Sequence, residues 1–102
     1  MTTLRDLLGQ VIRLTDERLG HILEHPEMQG QEQHIAESLL MPHSVIASHH
    51  DPTVKLYHKL FDSTPVTRKY LVVAVKCLDA DAFVITAFFA DKEKKGVRIW
   101  PQ

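Results

Sequence analysis

The chain has 102 residues, with 12 Lys and Arg against 13 Asp and Glu; 44% of positions are hydrophobic and 25% charged. That length holds one core and so one domain, 1–102, of ordinary globular composition. No apolar run nears the roughly 20 residues that cross a bilayer, the opening Met1-Thr2-Thr3-Leu4-Arg5-Asp6 lacks the basic-then-apolar pattern of a secretory leader, and Cys77 is the single cysteine. A transporter and a disulfide scaffold are excluded, and a soluble cytoplasmic protein is expected.

Along the chain, Leu4 to Leu8 is a short apolar segment of no assigned type, and Val11 to Leu14 fits a short strand. Thr15 reads as an N-cap, followed by acidic Asp16 and Glu17 where a helix dipole favours them. Leu19, Ile22 and Leu23 follow at helical spacing, and Pro26 stops this helix near His25. Glu27 to Gln33 is a polar loop. Ile35, Ala36, Leu39 and Leu40 mark a second amphipathic helix, ended by Pro42. The period then changes. Strands are expected over Ser44–Ser48, Val54–Phe61, Lys69–Leu78, Ala82–Ala90 and Val97–Trp100, separated by turns rich in Asp, Pro and Gly. The two long apolar runs, joined by Asp79-Ala80-Asp81, read as a central antiparallel hairpin. The expected fold is α+β: N-terminal helices packed on one face of a four- to five-stranded antiparallel meander. Its core is expected at Leu19, Ile22, Leu23, Ile35, Leu39, Leu71, Val73, Val75, Phe83, Ile85 and Phe89.

Charge is unevenly spread. Residues 1–51 carry three Arg against eight acids, a net of −5, while residues 52–102 carry nine basic residues against five acids, a net of +4. Six of the seven His lie in the acidic half. A basic half can hold an anion, although the near-neutral total does not suit strong non-specific nucleic-acid binding.

Arg18, His21 and His25 share one stripe of the first helix, bordering its apolar stripe, a position that suits a catalytic imidazole. His21 to His25 also matches the H-x-x-E-H zinc pattern. That mechanism needs a further protein ligand, and Pro26 follows at once, so no metal is expected. His49-His50-Asp51 is expected to be an exposed turn whose side chains point apart. Lys55, Lys59, Arg68 and Lys69, with Tyr57 and His58 interleaved, make a basic, aromatic patch of the kind a phosphodiester backbone attracts. Lys92, Lys94 and Lys95 add charge after a strand. No glycine-rich phosphate loop, G-x-S-x-G or C-x-x-C is present.

Three segments in order carry a family resemblance. They are Thr15-Asp16-Glu17-Arg18 with His21-Ile22 and His25-Pro26-Glu27; Lys69-Tyr70-Leu71-Val72-Val73 with Phe83-Val84-Ile85-Thr86-Ala87-Phe88; and Asp91-Lys92 with Lys94-Lys95-Gly96 and Trp100. From about residue 15 to 101 the chain resembles the small phage- and toxin-associated BECR nuclease domains, relatives of barnase, EndoU, colicin tRNase and RelE. The resemblance implies helices on one face of a four-stranded antiparallel sheet and RNA cleavage without metal or other cofactor. The matching positions are His21, His25, Thr86 and the Tyr57-His58-Lys59 strand, so His21, His25 and Thr86 are the expected catalytic residues; Arg18 of the helix stripe and Lys69 and Lys94 of the basic patches join Tyr57, His58 and Lys59 as expected substrate-binding residues. RNA, tRNA included, and an inhibitor or partner protein are the partners implied, with no membrane. Phe88, Ala90 and His58 stand where that family commonly has a Tyr, a Thr and an aromatic residue.

Two functions follow as expectations. One is a metal-independent ribonuclease, with His21 moving the proton of the ribose hydroxyl or the leaving oxygen and Lys59 and Lys69 stabilising phosphoryl charge. The other is a non-catalytic RNA- or protein-binding accessory domain on the same scaffold. The first requires His21 within reach of Lys59 or Thr86 across a concave surface.

Overall fold

The computed structural model describes residues 1–102. Its elements are β1 (Thr2–Arg5), β2 (Val11–Leu14), α1 (Asp16–Leu23), a single 3-10 turn (Pro26–Met28), α2 (Glu32–Leu40), β3 (Ser44–Ser48), β4 (Val54–Phe61), β5 (Lys69–Cys77), β6 (Ala82–Ala90) and β7 (Gly96–Trp100). All seven strands join one sheet in the order β1-β2-β6-β5-β4-β3-β7. Neighbours are antiparallel except β2 and β6, which run parallel where Arg13 meets Phe83.

This corrects the expected four- to five-stranded antiparallel meander behind N-terminal helices. A β1–β2 hairpin precedes the helices, and the sheet is mixed. The unassigned Leu4–Leu8 segment divides into the end of β1 and a turn, with Gly9 at φ +85°. A left-handed residue there is cheap only for glycine.

Local chemistry explains the helices. The Thr15 Oγ1 accepts from the Arg18 backbone N–H at 3.2 Å, capping α1. His25 is extended, as a residue before proline tends to be, so α1 ends before Pro26. Ile22 of α1 and Ile35 and Leu39 of α2 are buried against the sheet.

α1 lies on β6, whereas α2 touches β5, β4 and, at the far side of the sheet order, β1. The sheet therefore curls around α2. The Tyr57 hydroxyl on β4 donates to the Asp6 carboxylate just after β1 at 2.7 Å, tying the two sides of the curl together. Asp6 also accepts from the backbone N–H groups of Leu8 and Gln10.

The helix-bearing face is lined by Leu71, Val73 and Val75 of β5, Tyr57 of β4, and Ala82, Val84 and Ala87 of β6. The pairing of β5 with β6 shifts between Ala74 and Val75, where Thr86 and Val84 are the respective partners and Ile85 is left over. A bulge of this kind reverses which alternate residues face the core. Before it Ala82 and Val84 point inward; after it Ala87 and Phe89 do. Phe83 and Ile85, expected in the core, are half-buried instead, and Phe83 lies 5.5 Å from the Arg13 guanidinium.

The opposite face carries two rows: His58, Val72 and Phe88, then Leu56, Ala74 and Thr86. β6 lies third and β7 seventh in the sheet, so the five residues Asp91–Lys95 cross this second face. Five residues make this a short crossover. It buries what lies below: His58 is 0% exposed.

Candidate functional site

The sequence-derived site residues do not converge. Arg18 and His21 are exposed on α1, and the Nδ1 of His21 is 3.8 Å from Glu24. Thr86 points from the other side of the sheet, so the sheet itself separates it from His21. Tyr57 is a core residue with its hydroxyl on Asp6, and burial, reinforced by that carboxylate, pushes its pKa up. His58 is sealed beneath the crossover and cannot touch a substrate directly. The Lys59 Nζ donates to the Met41 carbonyl at the end of α2.

His25 and Lys69 do approach a common region. Lys69 pairs with Asp91 and lines, with Glu27, Val66 and Phe89, a cleft of about 260 Å³ on the helix side. The His25 Nδ1 is 3.9 Å from Glu27. This cleft carries two carboxylates beside its one lysine, which makes it a poor phosphate site. No three His, Cys, Asp or Glu side chains are arranged to hold a metal ion.

A second cleft, of about 430 Å³, opens on the crossover side of the sheet. His49, His50, Lys94 and Lys95 surround it, with Ser48 beside them and Leu56 and Phe88 providing apolar surface. Its origin is the β3–β7 ladder. Ser48 pairs with Gly96, Ala47 with Val97 and Ile46 with Arg98. The chain leaves this ladder for His49 and His50 at the same end at which Lys94 and Lys95 enter it, so all four lie around one cleft. Gly96 is required where the crossover lands, because a Cβ there would meet the Ala47 carbonyl oxygen at 2.1 Å and the Ile46 Cγ2 at 2.5 Å.

Neighbouring carboxylates are engaged elsewhere. Asp51, next to His50, accepts from the Lys76 Nζ at 2.6 Å and from Thr53, and these bonds hold its pKa down to about 2. Glu93, next to Lys94, accepts from the Ser44 Oγ at 2.6 Å. Asp51 is paired with Lys76, whereas Glu93 keeps its charge beside Lys94; neither carboxylate lines the cleft, where both lysines do. The Lys94 Nζ sits 5.2 Å from the centre of the Phe88 ring, and Thr86 is two residues from Phe88 on the same face of β6. The volume lies within the usual range for small-ligand sites, about 300–1,000 Å³.

Sequence reasoning singled out Lys94 and Thr86 but treated His49 and His50 as a plain turn. Both line the cleft, because the strand that ends at Ser48 lies beside the one that begins at Gly96. The signal was a pair of imidazoles just after one strand and a pair of lysines just before another. It becomes legible only once those two strands are known to pair. Comparison with protein-family models, with curated proteins and with solved structures finds no match.

Proposed function

We propose that the protein is a metal-independent ribonuclease whose site is the crossover-side cleft. The observation that supports this is the β3–β7 register, which gathers two imidazoles, two ammonium groups and an aromatic ring around a space the size of a nucleotide. One imidazole of the His49–His50 pair takes the proton of the ribose 2′-hydroxyl, and the 2′-oxygen bonds to phosphorus. The bond from phosphorus to the 5′-oxygen breaks, and the other imidazole protonates that oxygen. The products are a 2′,3′-cyclic phosphate and a free 5′-hydroxyl. Lys94 and Lys95 stabilise the phosphoryl oxygens, Thr86 supplies a hydrogen bond, and Phe88 offers a face for a base.

A second reading, an RNA-binding domain that leaves its partner intact, is favoured by the separation of His21 from Thr86 and by Phe88, which has no hydroxyl.

Incubating the purified protein with total tRNA in EDTA tests both. The expected result is cleavage to cyclic phosphates, lost about 100-fold or more in His50→Ala or His49→Ala and retained in His21→Ala. Intact RNA at high protein concentration, with RNA retained on the protein, leaves the second reading. Cleavage that vanishes with His21→Ala and survives loss of His49 and His50 overturns the placement of the site.

A further inference from the structure

The crossover carries both lysines of the cleft, and one buried side chain holds it down. The backbone N–H of Lys94 donates to the His58 Nε2 at 2.9 Å. To accept there, the neutral ring must carry its hydrogen on Nδ1, and that nitrogen is buried with no hydrogen-bond partner. An apolar side chain would fill the same space but would leave the Lys94 N–H without its acceptor, so the imidazole does more than pack.

We infer that His58 is a positioning residue: its Nε2 pins the crossover so that Lys94 and Lys95 overhang the cleft, and protonating the ring frees the segment. The role in catalysis rests on the function proposed above; the pinning itself does not.

The chemistry is direct. Protonation turns Nε2 from acceptor to donor, which sets an N–H against the Lys94 N–H. The bond is lost, and a charge is buried. The groups facing the ring are few. Glu93 on the crossover and the backbone groups of Leu56 on β4 and Ser44 on β3 favour the charged form, and Lys94 opposes it. Tyr70 on β5 meets the ring edge-on with centroids 6.3 Å apart. The His58 carbonyl takes the backbone N–H of His43, just before β3. Burial is the largest influence and lowers the ring's pKa. The segment is otherwise tied by the Ser44–Glu93 hydrogen bond, the Lys69–Asp91 pair and the close seat of Gly96. Release therefore loosens Lys94 and Lys95, the stretch between Glu93 and Gly96, which stay attached.

NMR on the intact chain tests this. In the wild type, the His58 ring nitrogens are expected to report an unprotonated Nε2 at neutral pH. On acidification the Lys94 amide is expected to shift with the same midpoint as the ring, and its solvent exchange, corrected for intrinsic rate, to rise about tenfold, the equivalent of one hydrogen bond. In His58→Gln, whose amide oxygen accepts without titrating, the Lys94 amide is expected to show no such step. A Lys94 amide that stays protected while His58 protonates overturns the proposal, and so does an identical step in His58→Gln. If His58→Gln does not fold, the shared wild-type midpoint decides alone. Absence of RNA cleavage with the two midpoints coinciding refutes the ribonuclease reading and supports the pinning.

Discussion

Tyr57 on β4 donates its hydroxyl to the Asp6 carboxylate at 2.7 Å, across 51 residues of chain and across the trough that holds α2. It joins strands that are four positions apart in the sheet. Tyr57→Phe keeps the ring and leaves a buried carboxylate oxygen without its donor. The expected loss of stability is about 1–3 kcal/mol, read as a lower urea midpoint with an unchanged slope.

Gly96 and Gly20 make a matched pair. Gly96→Ala forces a Cβ against the Ala47 carbonyl, whereas Gly20, within α1, has nothing within 4 Å of a built Cβ. Gly20→Ala is expected to stabilise by about 0.5–1 kcal/mol through helix propensity. Gly96→Ala is expected to destabilise by more than about 2 kcal/mol, because backbone has to move. Thermal melts of both variants check the contrast; equal shifts contradict the close seat of the crossover.

His58 gives stability a pH dependence near neutrality. Burial lowers its pKa in the folded protein, so below the ordinary value near 6.5 the unfolded chain binds more protons than the folded one. Stability is accordingly complete above about pH 6.5 and falls as pH drops from there toward the folded-state value. Urea midpoints measured from pH 7.5 to 5 are expected to decline in the wild type more steeply than in His58→Gln. Parallel curves contradict the prediction.

Asp51 acts at lower pH with the sign usual for a carboxylate. Its folded pKa of about 2 lies below the unfolded value, so its contribution is present above about pH 4 and is lost as pH falls toward 2. The largest cause is the Lys76 hydrogen bond. Lys76→Met is expected to flatten that acid slope, modestly because the pair is half-exposed.

Lys94 and Lys95 are expected to act on nucleic acid through phosphate charge. Binding of a single-stranded oligodeoxynucleotide, which has no 2′-hydroxyl to cleave with, is expected to weaken with salt. The slope of log K against log salt is expected to fall in magnitude by about 0.7 for each lysine changed to Ala. A slope that stays constant in both variants rules these lysines out as phosphate contacts.

Much of the local structure was legible in the residues. Thr15 capped α1 as its side chain suggested, and the bounds of β3, β4 and β6 fall where period and turn residues put them. What escaped was non-local. The parallel contact of β2 with β6 rests on the single pairing of Arg13 with Phe83, and no pattern in either segment announces it. The bulge at Ile85 put Ala82 and Val84 in the core in place of Phe83 and Ile85, because one surplus residue inverts an alternation. The same limit applied to the site. Helical spacing put Arg18, His21 and His25 on one edge, but α1 ends at Leu23 and leaves His25 extended beyond it, and spacing within an element says nothing of which face of a sheet the element covers. His49 and His50 gained their meaning from β7, nearly half the chain away.

The short crossover has a consequence for how such a protein diversifies. Its residue count, together with the His58 anchor, sets how far the cationic rim stands above the sheet. One or two residues inserted between Asp91 and Lys95 would raise that rim while both anchors stayed put, and a deletion would press it down onto Phe88. The bore of the cavity is in that sense written as a length of polypeptide, adjustable without disturbing a single interior position.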